Sequence, residues 1–179
     1  MYLVISCSPN FDSRSKRLAQ RLINLLTADG RSVESIDLST IRLPQDTGRP
    51  NRRPEVATLS AKISNSHAVV LVSPVYRGNI AISTSNLVQL CGDAFQRKVM
   101  LVVSVSGDPL ANHTTLNLAN QLMLERQAFV LPDFVFVDSK DLSAASGSQQ
   151  GAGVDDRTAA ELQKAVIQLT RVTSALAAA

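Results

Sequence analysis

The segment of residues 7–15, CSPNFDSRS, concentrates side chains that could hold a phosphate group. Ser8, Ser13 and Ser15 offer hydroxyl groups, and Arg14 offers a planar guanidinium that can pair with two phosphate oxygens. A predicted strand precedes the segment and a predicted helix follows it, so free N–H groups at the helix start would point at the same anion. Helix capping by Ser13 or Ser15 is the structural alternative, and it accounts for one of the three serines.

Two further polar segments follow predicted strands. In residues 73–79, SPVYRGN, Pro74 is expected to end the strand and Gly78 to permit a tight turn. In residues 106–109, SGDP, Gly107 would let a flat ligand approach the backbone, although Gly-Asp-Pro is also common turn chemistry. The chain has neither the GxxxxGK[ST] pattern of P-loops nor a GxGxxG dinucleotide motif, so a phosphate would be held by serine and arginine.

Five short apolar runs alternate with amphipathic segments, which predicts a parallel sheet with helices on both faces. The predicted strands are residues 2–6, 33–38, 68–72, 99–105 and 129–137. Helices are predicted at residues 14–29, 55–66, 80–95 and 112–126 and at the C-terminus, and residues 138–153 are predicted to be a loop. The buried set of the 112–126 helix is predicted to be Leu116, Leu118, Leu122 and Met123. In such folds ligands bind at the carboxyl ends of the strands, where all three polar segments would meet.

The composition fits one globular domain over residues 1–179, since 45% of the residues are hydrophobic and 18% charged. The net charge of +3 comes without a dense basic stripe or interleaved aromatics, which predicts no nucleic-acid partner. No apolar run approaches the length of a membrane span. Cys7 and Cys91 lack CxxC spacing and there are two histidines, which predicts no metal site, reduced thiols and a cytoplasmic location.

Taken together, the three segments resemble those of NAD(P)H-dependent FMN reductases, in particular the reductase components of two-component alkanesulfonate monooxygenases. The resemblance rests on Ser8-Pro9 with Ser13-Arg14-Ser15, on the SPVY sequence of residues 73–76, and on residues 106–108, and it covers nearly the whole chain in order. It implies a flavodoxin-like α/β fold, a three-layer αβα sandwich with a five-stranded parallel sheet in the order 2-1-3-4-5.

The resemblance implies an enzyme that transfers hydride from NAD(P)H to FMN and can supply reduced flavin to a monooxygenase. It implies FMN as cofactor, NAD(P)H as co-substrate and a homodimer or homotetramer, with Leu87, Val88 and Leu90 either at the interface or in the core. The residues implied for the FMN phosphate are Ser8, Ser13, Arg14 and Ser15. Those implied for the flavin ring are Pro74, Val75, Tyr76, Arg77, Gly78, Ser106, Gly107 and Asp108. No catalytic side chain is implied, because the flavin and the nicotinamide carry the hydride chemistry.

The sequence departs from the family around the implied ring site. Ile82, Thr84 and Ser85 stand where the family has a glycine and then Leu-Lys, and Asp108 stands where it often has a second glycine. These departures bear on flavin affinity and on nicotinamide access. The basic loop from Arg49 to Arg53 is a candidate for the phosphate of the second nucleotide.

Three other functions remain open at this level. A flavodoxin-like enzyme with bound FMN could reduce quinones, azo dyes or metal oxyanions. A low-molecular-weight phosphatase would use Cys7 as nucleophile with Arg14 and Asp108, although the Cys-to-Arg spacing is one residue too long and Pro9 removes an N–H. A flavodoxin-like scaffold without enzymatic activity is the third. Response-regulator receivers are excluded, because Ser73-Pro74 stands where they need an aspartate.

Overall fold

The computed structural model describes residues 1–51, 53–108, 113–142 and 154–178. Its strands are β1 (Tyr2–Ser6), β2 (Val33–Asp37), β3 (Ala68–Tyr76), β4 (Asn79–Ile80), β5 (Val99–Ser106), β6 (Phe129–Val130) and β7 (Val135–Asp138). Its helices are α1 (Arg14–Ala28), α2 (Pro54–Asn65), α3 (Ile82–Leu90), α4 (Thr114–Asn120) and α5 (Asp156–Ala177). Short 3₁₀ helices span Leu38–Thr40 and Gly92–Phe95, and a π-helical turn at Gln121–Glu125 continues α4. No helix of these described ranges is long and apolar enough to cross a membrane.

The sheet confirms the predicted order of parallel strands. β1 lies between β2 and β3, β5 pairs with the other edge of β3, and β6 and β7 both pair with the outer edge of β5. The five core strands therefore run β2-β1-β3-β5-β7, all parallel. The two-residue β4 is an addition, since it pairs antiparallel with the end of β3.

Apolar side chains on both faces of the sheet produce two cores, which confirms the three-layer sandwich. On one face Val4, Val70 and Val103 pack with leucines of α1 and α5. On the other, side chains such as Leu71 pack with residues of α2 and α3, among them Leu87. Strands buried on both faces cannot alternate apolar with polar residues, which is why the sequence shows them as continuous apolar runs. Leu87 and Val88 belong to this second core, both fully buried.

The third strand runs four residues further than the sequence predicts, so the expectation that Pro74 ends it is wrong. Pro74 pairs with Val105 of β5. The last pair between β1 and β3 joins Ser6 to Val72, so Pro74 lies beyond the end of β1. A proline at that place removes no donor from the β1–β3 ladder, which is the condition under which sheets accept proline.

The turn that follows β3 is a tight β-hairpin rather than an open loop. Tyr76 pairs with Asn79, and the two residues between them have positive φ angles, 50° at Arg77 and 74° at Gly78. Two positive φ angles define the type I′ turn, which matches the twist of the strands it joins. This turn displaces the start of the next helix from the predicted residue 80 to Ile82, and that helix ends at Leu90 before the 3₁₀ turn.

The predicted buried set of the fourth helix is half right. Leu118 and Leu122 are buried, whereas Leu116 is 47% exposed and Met123 40% exposed. At 100° per residue, Leu116 and Met123 lie on the side of the helix away from Leu118 and Leu122, and the apolar residue types alone conceal this. Residue 112, the predicted helix start, lies outside the described residues.

The last predicted strand is divided into two short strands. β6 pairs with Val99 and Met100, and β7 pairs with the end of β5 from Val103 onward. Pro132 lies between them and cannot donate a backbone hydrogen bond, which accounts for the interruption. Of the predicted 138–153 loop, residues 143–153 lie outside the described part of the chain.

Candidate functional site

The three polar segments meet in a cavity of about 480 Å³ at the carboxyl ends of β1, β3, β5 and β7. Its described lining is Asn10, Asp12, Ser13, Arg14, Ser15, Arg17, Pro74, Val75, Tyr76, Val105, Gly107 and Ser139. The volume lies within the range of about 300–1,000 Å³ that is usual for ligand pockets. We call this cavity the carboxyl-end pocket.

At one end of the carboxyl-end pocket, the start of α1 presents donors to a ligand. Ser13 is the N-cap, and its hydroxyl accepts a hydrogen bond from the N–H of Lys16 at 3.1 Å. Ser15 is 1% exposed, and its hydroxyl makes no hydrogen bond within the part of the chain that the structure describes. The guanidinium of Arg14 is exposed and has no ion pair there. Capping therefore accounts for Ser13 and leaves Ser15 and Arg14 available to an anion.

Ser8 has a different position from the other two serines. It is fully buried, does not line the carboxyl-end pocket, and accepts a hydrogen bond from the N–H of Asn10 at 3.1 Å. The hydroxyl thus closes the turn that carries Asn10 into the pocket lining.

Lys16 lies on another side of α1 and is already paired. Its Nζ is 2.8 Å from Asp37 Oδ2 and 3.9 Å from the centre of the Phe11 ring. Partial burial alone would raise the pKa of Asp37, but hydrogen bonds from Lys16 and Ser39 hold that pKa below its ordinary value. The ionised Asp37 therefore keeps Lys16 away from the pocket.

Burial makes Cys7 an unreactive thiol. The residue is fully buried, its Sγ lies 3.6 Å from the carbonyl oxygen of Ile5, and burial raises the pKa of the thiol to about 12. A phosphatase of the low-molecular-weight type needs a thiolate nucleophile at neutral pH. The structure therefore offers no support for the phosphatase alternative.

We expect both cysteines to resist a thiol-specific disulfide reagent at pH 8 in the folded chain, because burial also raises the pKa of Cys91. Absorbance of the released thiolate would measure this, with guanidinium-unfolded chain as the control in which both react. Rapid labelling of Cys7 in the folded chain would contradict the account.

Pro74, Val75 and Tyr76, at the end of β3, and Gly107, which directly follows β5, also line the carboxyl-end pocket. Tyr76 is 45% exposed, and its hydroxyl accepts a hydrogen bond from Asn10 Nδ2 at 3.5 Å. Tyr76 is the one aromatic residue among the described lining. A Cβ atom at Gly107 would lie 3.3 Å from the Oγ of Ser139, which also lines the pocket.

Four residues that the resemblance implies for the ring do not line the carboxyl-end pocket. Arg77 and Gly78 form the tip of the β3–β4 hairpin. Ser106 and Asp108 line a neighbouring cavity of about 600 Å³ beside β7 and α5. The Ser106 hydroxyl accepts from the N–H of Asp108 at 3.0 Å and donates to its carbonyl oxygen at 2.9 Å, which shapes the turn that presents Gly107.

The sequence departures lie outside the pocket as well. Ile82 is 87% exposed at the start of α3, whereas Thr84 is fully buried with its hydroxyl 2.6 Å from that of Ser73. Ser85 lines a separate small cleft between β4 and α4. None of the three is among the described residues that line the carboxyl-end pocket.

The candidate second-phosphate loop also lies elsewhere. Arg49 lines a cavity of about 840 Å³ beyond the C-terminal end of α3, together with Cys91, Asp93 and Arg126. The described linings of that cavity and of the carboxyl-end pocket share no residue. Arg52 lies outside the described residues.

Sequence reasoning missed several residues of the pocket lining, notably Asn10, Arg17 and Ser139. Ser139 directly follows β7, so the rule that identified the other three segments could have found it. Arg17 lies one helical turn after Arg14, which is a recognisable signal once the helix start is known. Asn10 depends on the turn closed by Ser8, for which the sequence carries no distinctive pattern.

Comparison with known families identifies the chain. The model of the NADPH-dependent FMN reductase family matches residues 2–142. The chain belongs to this family. As an FMN reductase family member it is an NAD(P)H-dependent flavin oxidoreductase, with FMN as cofactor and NAD(P)H as electron donor. A scaffold without enzymatic activity is thereby set aside.

Solved structures similar to this FMN reductase family member agree on the fold. A crystal structure of an NADH:FMN oxidoreductase has 18% identity and a TM-score of 0.72, over 94% of this chain and 87% of that chain. FerB, an NAD(P)H:(acceptor) oxidoreductase from Paracoccus denitrificans, has 20% identity and a TM-score of 0.77, over 97% and 96%. An archaeal flavodoxin has 12% identity and a TM-score of 0.64, over 97% and 99%. A search of curated proteins finds no significant match.

Proposed function

We propose that this chain reduces FMN as an exchanging substrate in the carboxyl-end pocket and releases the reduced flavin, for which a flavin-dependent monooxygenase is the expected acceptor. The observation that carries the proposal is the composition of the pocket lining, in which Tyr76 is the one aromatic among the described residues. Base–aromatic stacking contributes about 1–3 kcal/mol per stacked ring in nucleotide complexes. A flavin stacked by one aromatic at most is held weakly enough to leave.

The start of α1 fits the FMN phosphate. The N–H groups of Arg14 and Ser15 are in the first helical turn, where they lack intrahelical acceptors, and no acidic residue occupies that turn. The unpaired Ser15 hydroxyl and the exposed Arg14 guanidinium add charged and neutral donors. In this proposal Ser13 holds the helix start through its cap, and Ser8 positions Asn10.

The other end of the pocket fits the flavin ring. Bound FMN supplies the hydride acceptor, and the protein orients the ring and limits its contact with water. The backbone of Pro74–Tyr76 and the bare face of Gly107 border a space that a flat ring could enter. In this proposal Arg77 and Gly78 support the backbone of Pro74–Tyr76 as the hairpin turn. Ser106 and Asp108 shape the turn that presents Gly107.

Dependence of the rate on FMN concentration tests whether FMN exchanges. We expect NADPH oxidation to keep rising as FMN is added well beyond the enzyme concentration, because each turnover consumes one FMN. The control replaces FMN by a quinone, with enzyme carrying one equivalent of FMN. A rate that stops rising at one equivalent of FMN, and needs the quinone to continue, would instead show an acceptor reductase with bound FMN.

We further propose that the chain assembles as a homodimer or homotetramer through α4 and the start of α3. Ile82 is 87% exposed, Leu124 is 81% exposed, and Leu116 and Met123 are seven residues apart on one side of the α4 segment. Exposed apolar side chains that form one patch are typical of protein interfaces, and this proposal assigns these four side chains to one patch. Light scattering after size exclusion measures the assembly, and a monomer at micromolar concentration would contradict it.

The domain organisation and the cellular location of the chain are also proposals. Residues 1–179 are proposed to act as one domain, since solved structures of comparable length cover nearly the whole chain. Both cysteines are free thiols, which suits a reducing compartment such as the cytoplasm.

A further inference from the structure

Three arginines share one edge of α1. Arg14, Arg17 and Arg21 are spaced by three and four residues, which places them within about 60° of one another around the helix axis. Arg17 lines the carboxyl-end pocket, and Arg21 lies about 6 Å further along the axis. Lys16 lies on a different edge and is paired with Asp37.

Arg17 and Arg21 lack the partners that half-buried guanidinium groups normally have. The Nε atom of each is buried without a hydrogen-bond partner, and neither side chain has an ion pair in the described residues. A buried donor with no acceptor is costly, more so on a charged group. Each side chain therefore keeps a buried donor for which the described residues supply no acceptor, and an anion from outside the chain could supply it.

The acidic residues of neighbouring elements do not supply that anion. On β7 and its flanking loops, Asp138 accepts from the N–H of Lys140, and Asp133 is paired with Lys164. On α5, Glu161 is paired with Arg157, and Asp155 accepts from the N–H of Thr158. Asp12 lines the carboxyl-end pocket together with Arg17, but it is exposed and forms no ion pair with Arg17 or Arg21 in the described residues. The two arginines thus have no ion-pair partner among those residues.

We propose that Arg17 and Arg21 form a second phosphate subsite, beside the one at the start of α1. The inference rests on the proposed function for its first phosphate, that of FMN, which Arg14 and the helix start would hold. Two phosphates bound this close would repel each other unless each had its own cation, and the Arg17–Arg21 pair supplies the second. This second phosphate belongs to a larger nucleotide.

Two nucleotides carry a phosphate of this kind. One is NADPH, whose 2′-phosphate distinguishes it from NADH. The other is FAD, whose adenylate phosphate distinguishes it from FMN. The chemistry recognised is the same, a nucleotide phosphate additional to that of FMN, and binding measurements separate the two sources.

Calorimetric titration of the full chain tests the subsite without requiring turnover. One ligand pair is 2′,5′-ADP and 5′-AMP, which differ in the 2′-phosphate, and the other is FAD and FMN. The variants are Arg21→Gln and Arg17→Gln, with Arg171→Gln as the control for loss of a charge at an exposed arginine of α5. Unfolding midpoints of all four proteins are measured alongside.

We expect Arg21→Gln and Arg17→Gln to weaken binding of 2′,5′-ADP or of FAD at least tenfold. Binding of the matching ligand that lacks the additional phosphate should weaken less than twofold. Arg171→Gln should leave the affinities for both members of each ligand pair unchanged. The unfolding midpoint should not fall, because the lost Nε group has no partner in the folded chain and its burial is costly. Loss of 2′,5′-ADP binding identifies NADPH as the source, and loss of FAD binding identifies FAD.

Equal effects on both members of each ligand pair, or no effect on either, would overturn the subsite. So would a fall in the unfolding midpoint accompanied by loss of all four ligands, since that is the result expected of a structural arginine. Failure of the proposed function would give a different result. The wild-type chain would not oxidise NADPH or NADH with FMN, while the binding differences could still be measured.

Discussion

Replacing Arg14 by glutamate is expected to weaken FMN binding roughly 100-fold while leaving riboflavin binding unchanged. The substitution removes a charge-assisted hydrogen bond to the phosphate and places a carboxylate near it. Glutamate is favourable in the first turn of a helix, so α1 should remain folded. Quenching of flavin fluorescence, titrated separately with FMN and with riboflavin, measures both affinities.

The matched control for this variant is Arg53→Glu. Arg53 is also an exposed arginine at the start of a helix, α2, and does not line the carboxyl-end pocket. The Arg53→Glu variant should leave the affinities for FMN and for riboflavin unchanged. An equal loss of FMN and riboflavin in Arg14→Glu would place the arginine at the ring rather than at the phosphate, and unchanged FMN binding would remove it from the site.

Replacing Gly107 by leucine is expected to weaken FMN and riboflavin binding equally, by roughly 100-fold or more. The reason is steric, because Gly107 lines the pocket and a leucine side chain there would take up volume that the ring needs. The same fluorescence titrations measure the effect. Gly107→Leu should weaken the binding of both flavins because both contain the ring. Arg14→Glu should weaken only the binding of FMN, because riboflavin lacks the phosphate.

Gly107→Ala is the control for the leucine variant. Its Cβ would lie 3.3 Å from Ser139 Oγ, a contact that a shift of a few tenths of an ångström relieves. Alanine should therefore retain most of the affinity with an unchanged unfolding midpoint. Tight flavin binding by the leucine variant would show that the ring lies elsewhere.

The sheet was predictable because its central strands, β1, β3 and β5, are buried on both faces. Ala68 to Val75 is an unbroken buried run, and such a run has one structural interpretation in a βα alternation. Pro74 misled the prediction because the effect of a proline depends on whether a neighbouring strand needs its N–H. That neighbour, β1, ends at Ser6, and no local pattern reports where a strand 68 residues away stops.

The candidate site was predictable in outline for a similar reason. Carboxyl ends of parallel strands meet, so polar residues after three strands had to come together. Which individual side chains line the pocket was less predictable. Ser8 and Ser15 are both buried serines of one segment, yet Ser8 bonds to its own turn and Ser15 makes no bond among the described residues. The difference arises from backbone direction, which residue type does not encode.

Anaerobic mixing of catalytic amounts of the chain with excess FMN and NADPH, followed through the visible absorbance of the flavin, tests whether the chain releases reduced FMN. A reductase that releases reduced FMN should bleach all the FMN over many turnovers, and Arg14→Glu should slow the reaction at low FMN. If FMN is bleached no faster with the chain than without it, whether NADPH or NADH is the donor, the chain is not an FMN reductase.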